Sequence, residues 1–200
     1  MPKWRASSWR AFEPSAATAR SAGATWRVLG LDPGSRRTGF GVIECSGARA
    51  VHLAHGCVSC AEESLSERLR VIFEAVGRVI AEHRPDEIAV ERVFVNRNVD
   101  SALKLGQARG AALCAIPQGT PVFEYAPRAI KLAVVGVGGA DKQQVAHMIG
   151  ALLGIAGALP HDATDALAVA LCHAHSRRVP LPVAPALRRA ALRSTEGSSG

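Results

Sequence analysis

Four carboxylates stand where chemistry is feasible: Asp32, Glu91, and the pair Asp162 and Asp165. Asp32 ends the apolar run Val28-Leu29-Gly30-Leu31, and Glu91 ends Glu87-Ile88-Ala89-Val90-Glu91, so each is delivered at the tip of a strand. Asp162 and Asp165 are three apart and share one face of a helix start. Carboxylates brought together repel unless cations sit among them, and two Mg²⁺ about 4 Å apart are the usual arrangement in phosphodiester hydrolysis. Taken alone, Asp162 and Asp165 also read as an N-cap and a helix-dipole acid. The strand-end acids shift the balance toward a metal site. Lys131 and Lys142 flank Gly136-Val137-Gly138-Gly139 and read either as solvated helix lysines or as groups that bind backbone phosphate. The glycines form no Walker loop, since the Gly-Lys-Ser/Thr ending is missing. Phe94, in the polar loop Arg92 to Asn98, is a local anchor or a wedge that stacks on an unpaired base.

The elements that position these groups follow from periodicity. Pro33-Gly34 turns the first strand into a return strand, Gly39 to Cys45, and Arg49 to Val58 predicts a third, with Val51 and Leu53 as its apolar face. Ser64-Leu65-Ser66-Glu67 opens a helix with a capping-box pattern, and Leu65, Leu69, Ile72, Phe73, Val76 and Ile80 form its stripe. Glu87 to Glu91 is the fourth strand. Ser101 to Ile116 is helical, with Ala102, Gly106 and Gly110 four apart, a small-residue face suited to close packing or dimerisation. Pro121 to Tyr125 is the fifth strand, followed by helices from Pro127 to about Val135, from Asp141-Lys142 toward Leu153, and from Asp162 to beyond Leu171.

Two hundred residues at 48% hydrophobic allow one core. The chain divides into a basic N-terminal extension, 1–26, a folded domain, 27–176, and a basic C-terminal tail, 177–200, both ends expected to be disordered. The net charge of +7 belongs to those ends, which carry +3 and +4, and the stretch between them is neutral. The pI is therefore a weak argument for nucleic-acid binding by the domain. No run approaches the length of a membrane span. Five cysteines without an apolar signal segment indicate a reducing compartment, the cytoplasm. Cys57 and Cys60 with His52 and His55 suggest zinc, but no second well-spaced pair exists, and the two histidines are expected on opposite faces of a strand.

Leu31-Asp32-Pro33-Gly34 with Thr38-Gly39-Phe40-Gly41, Glu91-Arg92-Val93-Phe94, Ser101 to Gly110, Phe123 to Pro127, and Asp162-Ala163-Thr164-Asp165-Ala166-Leu167-Ala168 together resemble the RuvC family of bacterial Holliday junction resolvases. The resemblance runs in uninterrupted order over about residues 27 to 176. It implies an α/β, RNase H-like (retroviral-integrase-like) fold with a mixed five-stranded sheet flanked by helices. It also implies a homodimer joined through the helix at Ser101 to Ile116, and a Mg²⁺-dependent endonuclease, with Mn²⁺ able to substitute, that nicks a four-way DNA junction symmetrically in recombination and repair. The RuvA–RuvB branch-migration complex is the implied protein partner. By motif match Asp32, Glu91, Asp162 and Asp165 are the metal-binding catalytic acids, and Lys131 and Lys142 the basic residues of the site. Phe94 is the junction-contacting aromatic, with Arg92, Arg97, Lys104 and Arg109 as further DNA contacts. Arg92 replaces a glutamine common in the family, and His161 is not a fixed family feature.

Two other classes compete. A kinase-like ATPase also carries Asp-x-Gly on a hairpin, but it needs a duplicated domain for which this chain has no room. A catalytically silent junction-binding protein would not need intact acids.

Overall fold

The first strand, β1 (Thr25–Pro33), is the middle strand of a five-stranded sheet with order β3-β2-β1-β4-β5. The computed structural model describes residues 24–60, 64–92 and 98–178, so both terminal extensions, Phe94 and Arg97 lie outside the described residues. β1, β2 (Arg37–Ser46) and β3 (Arg49–Ser59) form an antiparallel meander, whereas β4 (Glu87–Glu91) and β5 (Val122–Tyr125) continue the sheet in parallel with β1. Between them lie the helices α1 (Leu65–His83), α2 (Val99–Cys114), α3 (Pro127–Val135), α4 (Lys142–Leu153) and α5 (His161–Arg178). The mixed sheet flanked by helices is the RNase H-like arrangement.

Both faces of the sheet are covered, which is why β1 and β4 read as near-continuous apolar runs. Leu29, Leu31, Ile88 and Val90 face the layer of α1 and α2, while Val28 and Ala89 face the layer of α3, α4 and α5. Strand alternation puts Asp32, Glu87 and Glu91 on the α5 side. α5 is buried through nearly its whole length, Ala163 to Ala174, with Asp165 the partly exposed exception. It lies so close to the sheet that a Cβ on Gly30 would stand 2.0 Å from the Ala166 carbonyl oxygen, and one on Gly39 1.9 Å from that of Asp162. Glycine at these two positions is what lets the helix bring its acids down to the strand tips.

The capping box at Ser64 and Glu67 is present, with Ser64 accepting from the Glu67 N–H and Glu67 from the Ser64 N–H. Four expectations need correction. Phe73 is 45% exposed and Leu65 also points to solvent, because α1 buries only Ile72, Ala75, Val76 and Ile80. Val51 and Leu53 are exposed on the edge strand β3, where the side chains that pack inward are Ala50 on the α5 side of the sheet and Ala54 on the α1 side. His52 and His55 do not point to opposite faces. Pairing jumps from Val42↔Ala54 to Ile43↔His52, so Leu53 is an extra residue in a bulge, and the two imidazoles meet at 2.8 Å. Finally, α5 continues through Arg178, past the sequence limit at 176, because Arg177 is bound to Glu87.

Candidate active site

Asp32, Glu91, Lys131, Lys142 and Asp165 line one cleft of about 380 Å³, with Ile130, Val145 and Ala168 as its apolar wall. Asp32 and Glu91 reach it from the ends of adjacent parallel strands, with Leu31 paired to Val90. Asp165 enters from the first turns of α5, Lys131 from α3, and Lys142 from the first residue of α4. The glycine-rich break is a left-handed stop at Gly136 (φ 79°) followed by the Asp141 capping box, and this turn holds both lysines over the acids.

Asp162 stands beside the cleft. Its Oδ2 accepts the Cys57 thiol at 3.4 Å and lies 3.9 Å from Arg37 Nη1. It is not an N-cap: α5 begins at His161, and Asp162 is the acid of the first turn. Lys142 Nζ lies 3.6 Å from Asp165 Oδ2. His161 is exposed at the helix start.

The electrostatics are those of a crowded anionic site. Burial, and then the charges of Glu91, Asp165 and Asp162, push the Asp32 carboxyl up to about 7. Burial and Asp165 also raise Glu91, against the pull of Lys142 and Lys131. Asp165 is raised by burial, with Lys142 working against it and Asp162 with it. The Cys57 thiol is pushed up to about 11 by burial and by its bond to Asp162, so it remains a thiol. As posed, no three histidine, cysteine or acidic side chains among the described residues stand close enough together to hold an ion. Asp162 is drawn aside by Cys57 and Arg37, and Asp165 by Lys142. The donor set nevertheless suits a hard divalent cation: the carboxylate oxygens are of the kind Mg²⁺ takes, and a cation would offset the burial and the neighbouring negative charges that raise the Asp32 carboxyl.

Arg109 has a use that spacing did not reveal. It donates to the Glu91 main-chain carbonyl at 2.6 Å and pairs with Glu124, with its side chain only 13% exposed. It props the strand end that carries Glu91. Arg92 is exposed, with Nε 3.7 Å from Glu124 Oε2, and Lys104 is paired with Asp100 on the outer face of α2. Sequence reasoning missed Cys57 and Arg37 as neighbours of Asp162. Only the register, Gly39 opposite Cys57 and beneath Asp162, identifies the thiol.

A family model described as crossover junction endodeoxyribonuclease RuvC matches residues 28–173. The protein of that name from Methylococcus capsulatus is 57% identical over 153 residues, covering 76% of this chain and 92% of that one. The one from Trichlorobacter lovleyi is 53% identical over 163 residues, covering 80% and 92%. Among solved structures, T. thermophilus RuvC in complex with a Holliday junction substrate superimposes with TM-score 0.72 at 39% identity, covering 76% of this chain and 95% of that one. The yeast mitochondrial Holliday junction resolvase Ydc2 shares the fold, with TM-score 0.58 at 12% identity over 78% of this chain and 82% of that one. With strand-tip acids, the helix-borne Asp165 and two lysines in one cleft, and with these matches spanning the folded domain, the chain belongs to the RuvC family of crossover junction endodeoxyribonucleases.

Proposed function

We propose that the protein resolves four-way DNA junctions by paired nicks on opposed strands, through Mg²⁺-dependent phosphodiester hydrolysis. The observation that carries this is the convergence of Asp32, Glu91 and Asp165, with Asp162 beside them, at one end of the sheet under Lys131 and Lys142. Asp32, Glu91, Asp162 and Asp165 would hold two Mg²⁺, or Mn²⁺ in substitution. When bound, the ions supply Lewis acidity at the scissile phosphate and lower the pKa of the attacking water. Asp32 and Glu91 are fixed by strands, so they define where the phosphate sits; Asp162 and Asp165 swing in from α5. Lys131 and Lys142 face the charge that grows on the phosphate oxygens. The products would be 5′-phosphate and 3′-hydroxyl ends.

Resolution needs two sites, and the outer face of α2 suits a twofold interface. Val99 and Leu103 on it are 68% and 62% exposed, and the space over Gly106 and Gly110 is open. A homodimer through this helix sets two clefts against a substrate that is itself pseudo-symmetric. Phe94 is the proposed junction-stacking aromatic, with Arg92, Arg97 and Lys104 as phosphate contacts. A RuvA–RuvB branch-migration complex is the proposed partner, and the cytoplasm the proposed site of action, consistent with five free cysteines. Among the described residues no helix is long and apolar enough to cross a membrane.

Incubating the purified protein with a strand-labelled synthetic four-way junction, with and without Mg²⁺, tests the reading. The expected result is symmetric paired nicks bearing 5′-phosphates, dependent on Mg²⁺ and absent on linear duplex. Equal nicking of linear duplex, or junction cleavage in chelator, contradicts it.

A further inference from the structure

At the end of α5 remote from the cleft lies a second buried carboxylate with a different set of neighbours. Glu87 is 3% exposed and His173 fully buried. His173 Nε2 lies 2.7 Å from Glu87 Oε2, Arg177 donates to both Glu87 oxygens at 2.8 and 3.3 Å, and the Tyr125 hydroxyl lies 2.7 Å from His173 Nδ1. Phe123 stacks on the imidazole at 4.5 Å, Trp26 meets it edge-on, and the Arg177 guanidinium lies over the Phe123 ring. None of these groups reaches the cleft.

We infer that Glu87, His173, Arg177 and Tyr125 form a positioning clamp that sets the register of α5 on the sheet, and so places Asp162 and Asp165 opposite Asp32 and Glu91. The inference rests on the reading of those acids as the metal-holding groups. Its geometry is that of two parallel rulers. Glu87 and Glu91 lie on the same face of β4, four residues or roughly 13 Å apart. His173 and Asp165 lie eight residues or about 12 Å apart along α5, which runs the opposite way. Joining Glu87 to His173 at one end therefore brings Asp165 level with Glu91 at the other.

Between the two ends, contact is apolar, with the Leu167 side chain packed against Gly41. Ala166 and Ala170 sit over Gly30, and the Asp162 main chain sits over Gly39. Such contacts allow close approach but are non-directional, and they resist sliding or rotation weakly. The bonds of His173 and Arg177 to one carboxylate are directional and charge-assisted, and they fix both the rotation and the rise of the helix. Tyr125 ties the same imidazole to β5, whose register partner for Tyr125 is Glu91 itself. These are positioning residues, since none touches the reacting phosphate.

The test is calorimetric titration of the metal-free full chain with Mn²⁺, alongside Mg²⁺ activation of junction cleavage, for wild type, Glu87→Gln, Tyr125→Phe and Asp32→Asn. Glu87→Gln is expected to raise the Mn²⁺ Kd at least fivefold and the half-activating Mg²⁺ concentration in step, with the junction KM within twofold and kcat recovered at high Mg²⁺. Tyr125→Phe should move the same quantities in the same direction by about twofold, with an unchanged far-UV spectrum, and it decides the question should Glu87→Gln fail to fold. A lowered Tm in either folded variant with unchanged Mn²⁺ affinity and Mg²⁺ dependence overturns the clamp and leaves a merely stabilising cluster. Asp32→Asn that binds Mn²⁺ like wild type removes the metal reading, and the clamp with it. Loss of binding in Asp32→Asn but not in Glu87→Gln removes the clamp alone.

Discussion

Asp32 and Glu87 are carboxylates set into the same face of one sheet, near opposite ends of one helix, and they titrate in opposite directions. At the cleft end, burial and three neighbouring acids hold the Asp32 carboxyl up to about 7. At the far end, burial also works against ionisation of Glu87, but His173 and Arg177 outweigh it and bring the group down to about 2. The backbone treatment is alike, so the partners make the difference. One end is paired within the chain and complete; the other is crowded with carboxylates and open, and in the proposed function cations and a phosphate complete it. That contrast separates a carboxylate satisfied within the fold from one left open to a ligand.

The comparison can be broken at several points. The largest effect on cleavage is expected from Gly39→Ala, whose Cβ would meet the Asp162 carbonyl oxygen at 1.9 Å. It should push the start of α5 off the sheet, cutting junction cleavage by about 100-fold and stability by about 2 kcal/mol. Single-turnover cleavage and urea melts check both. Glu87→Ala strands a buried imidazole and a guanidinium, and should cost about 3 kcal/mol at neutral pH. The folded pKa of Glu87 is below its ordinary value of 4.5, so its contribution is present above about pH 4.5 and fades as pH falls toward about 2. The Glu87→Ala deficit should shrink accordingly in acid melts.

Asp32 has the opposite sign. Its folded pKa of about 7 exceeds its ordinary value of 3.8. The stabilisation is full below about pH 4 and lost as pH rises through about 7. The Tm of the metal-free protein should therefore fall over that range and be restored by Mg²⁺, and Asp32→Asn should gain about 1 kcal/mol at pH 8. The smallest effect belongs to Lys104, whose exposed pair with Asp100 is worth under about 0.5 kcal/mol. Lys104→Ala should leave Tm unchanged while lowering junction affinity a few-fold in a salt-dependent manner.

The strand-tip acids were legible in the sequence because strand ends announce themselves. An apolar run stops at a charge, and Pro33-Gly34 or Arg92 follows. Helix starts were legible for the same local reason, as at Ser64 and Asp141. What escaped depended on distant register. The bulge at Leu53 carries no turn residue, so the meeting of His52 with His55 was invisible. Arg109 looks like any surface arginine until α2 is seen to lie beside the end of β4. His173 and Arg177 are spaced like a helix face, but nothing local says that the face crosses Glu87, eighty-six positions away from His173. The acids of α5 were found by their mutual spacing, whereas the groups that hold α5 in place required the fold.

The most direct measurement is junction binding and cleavage by purified Asp32→Asn in Mg²⁺, with wild type in parallel. Removing one charge from an already crowded site leaves the fold and the DNA surface intact, so binding to a synthetic four-way junction should stay within a few-fold of wild type while nicking is abolished. Nicking by Asp32→Asn at the wild-type rate would contradict the assignment of this cleft as the metal-dependent catalytic centre.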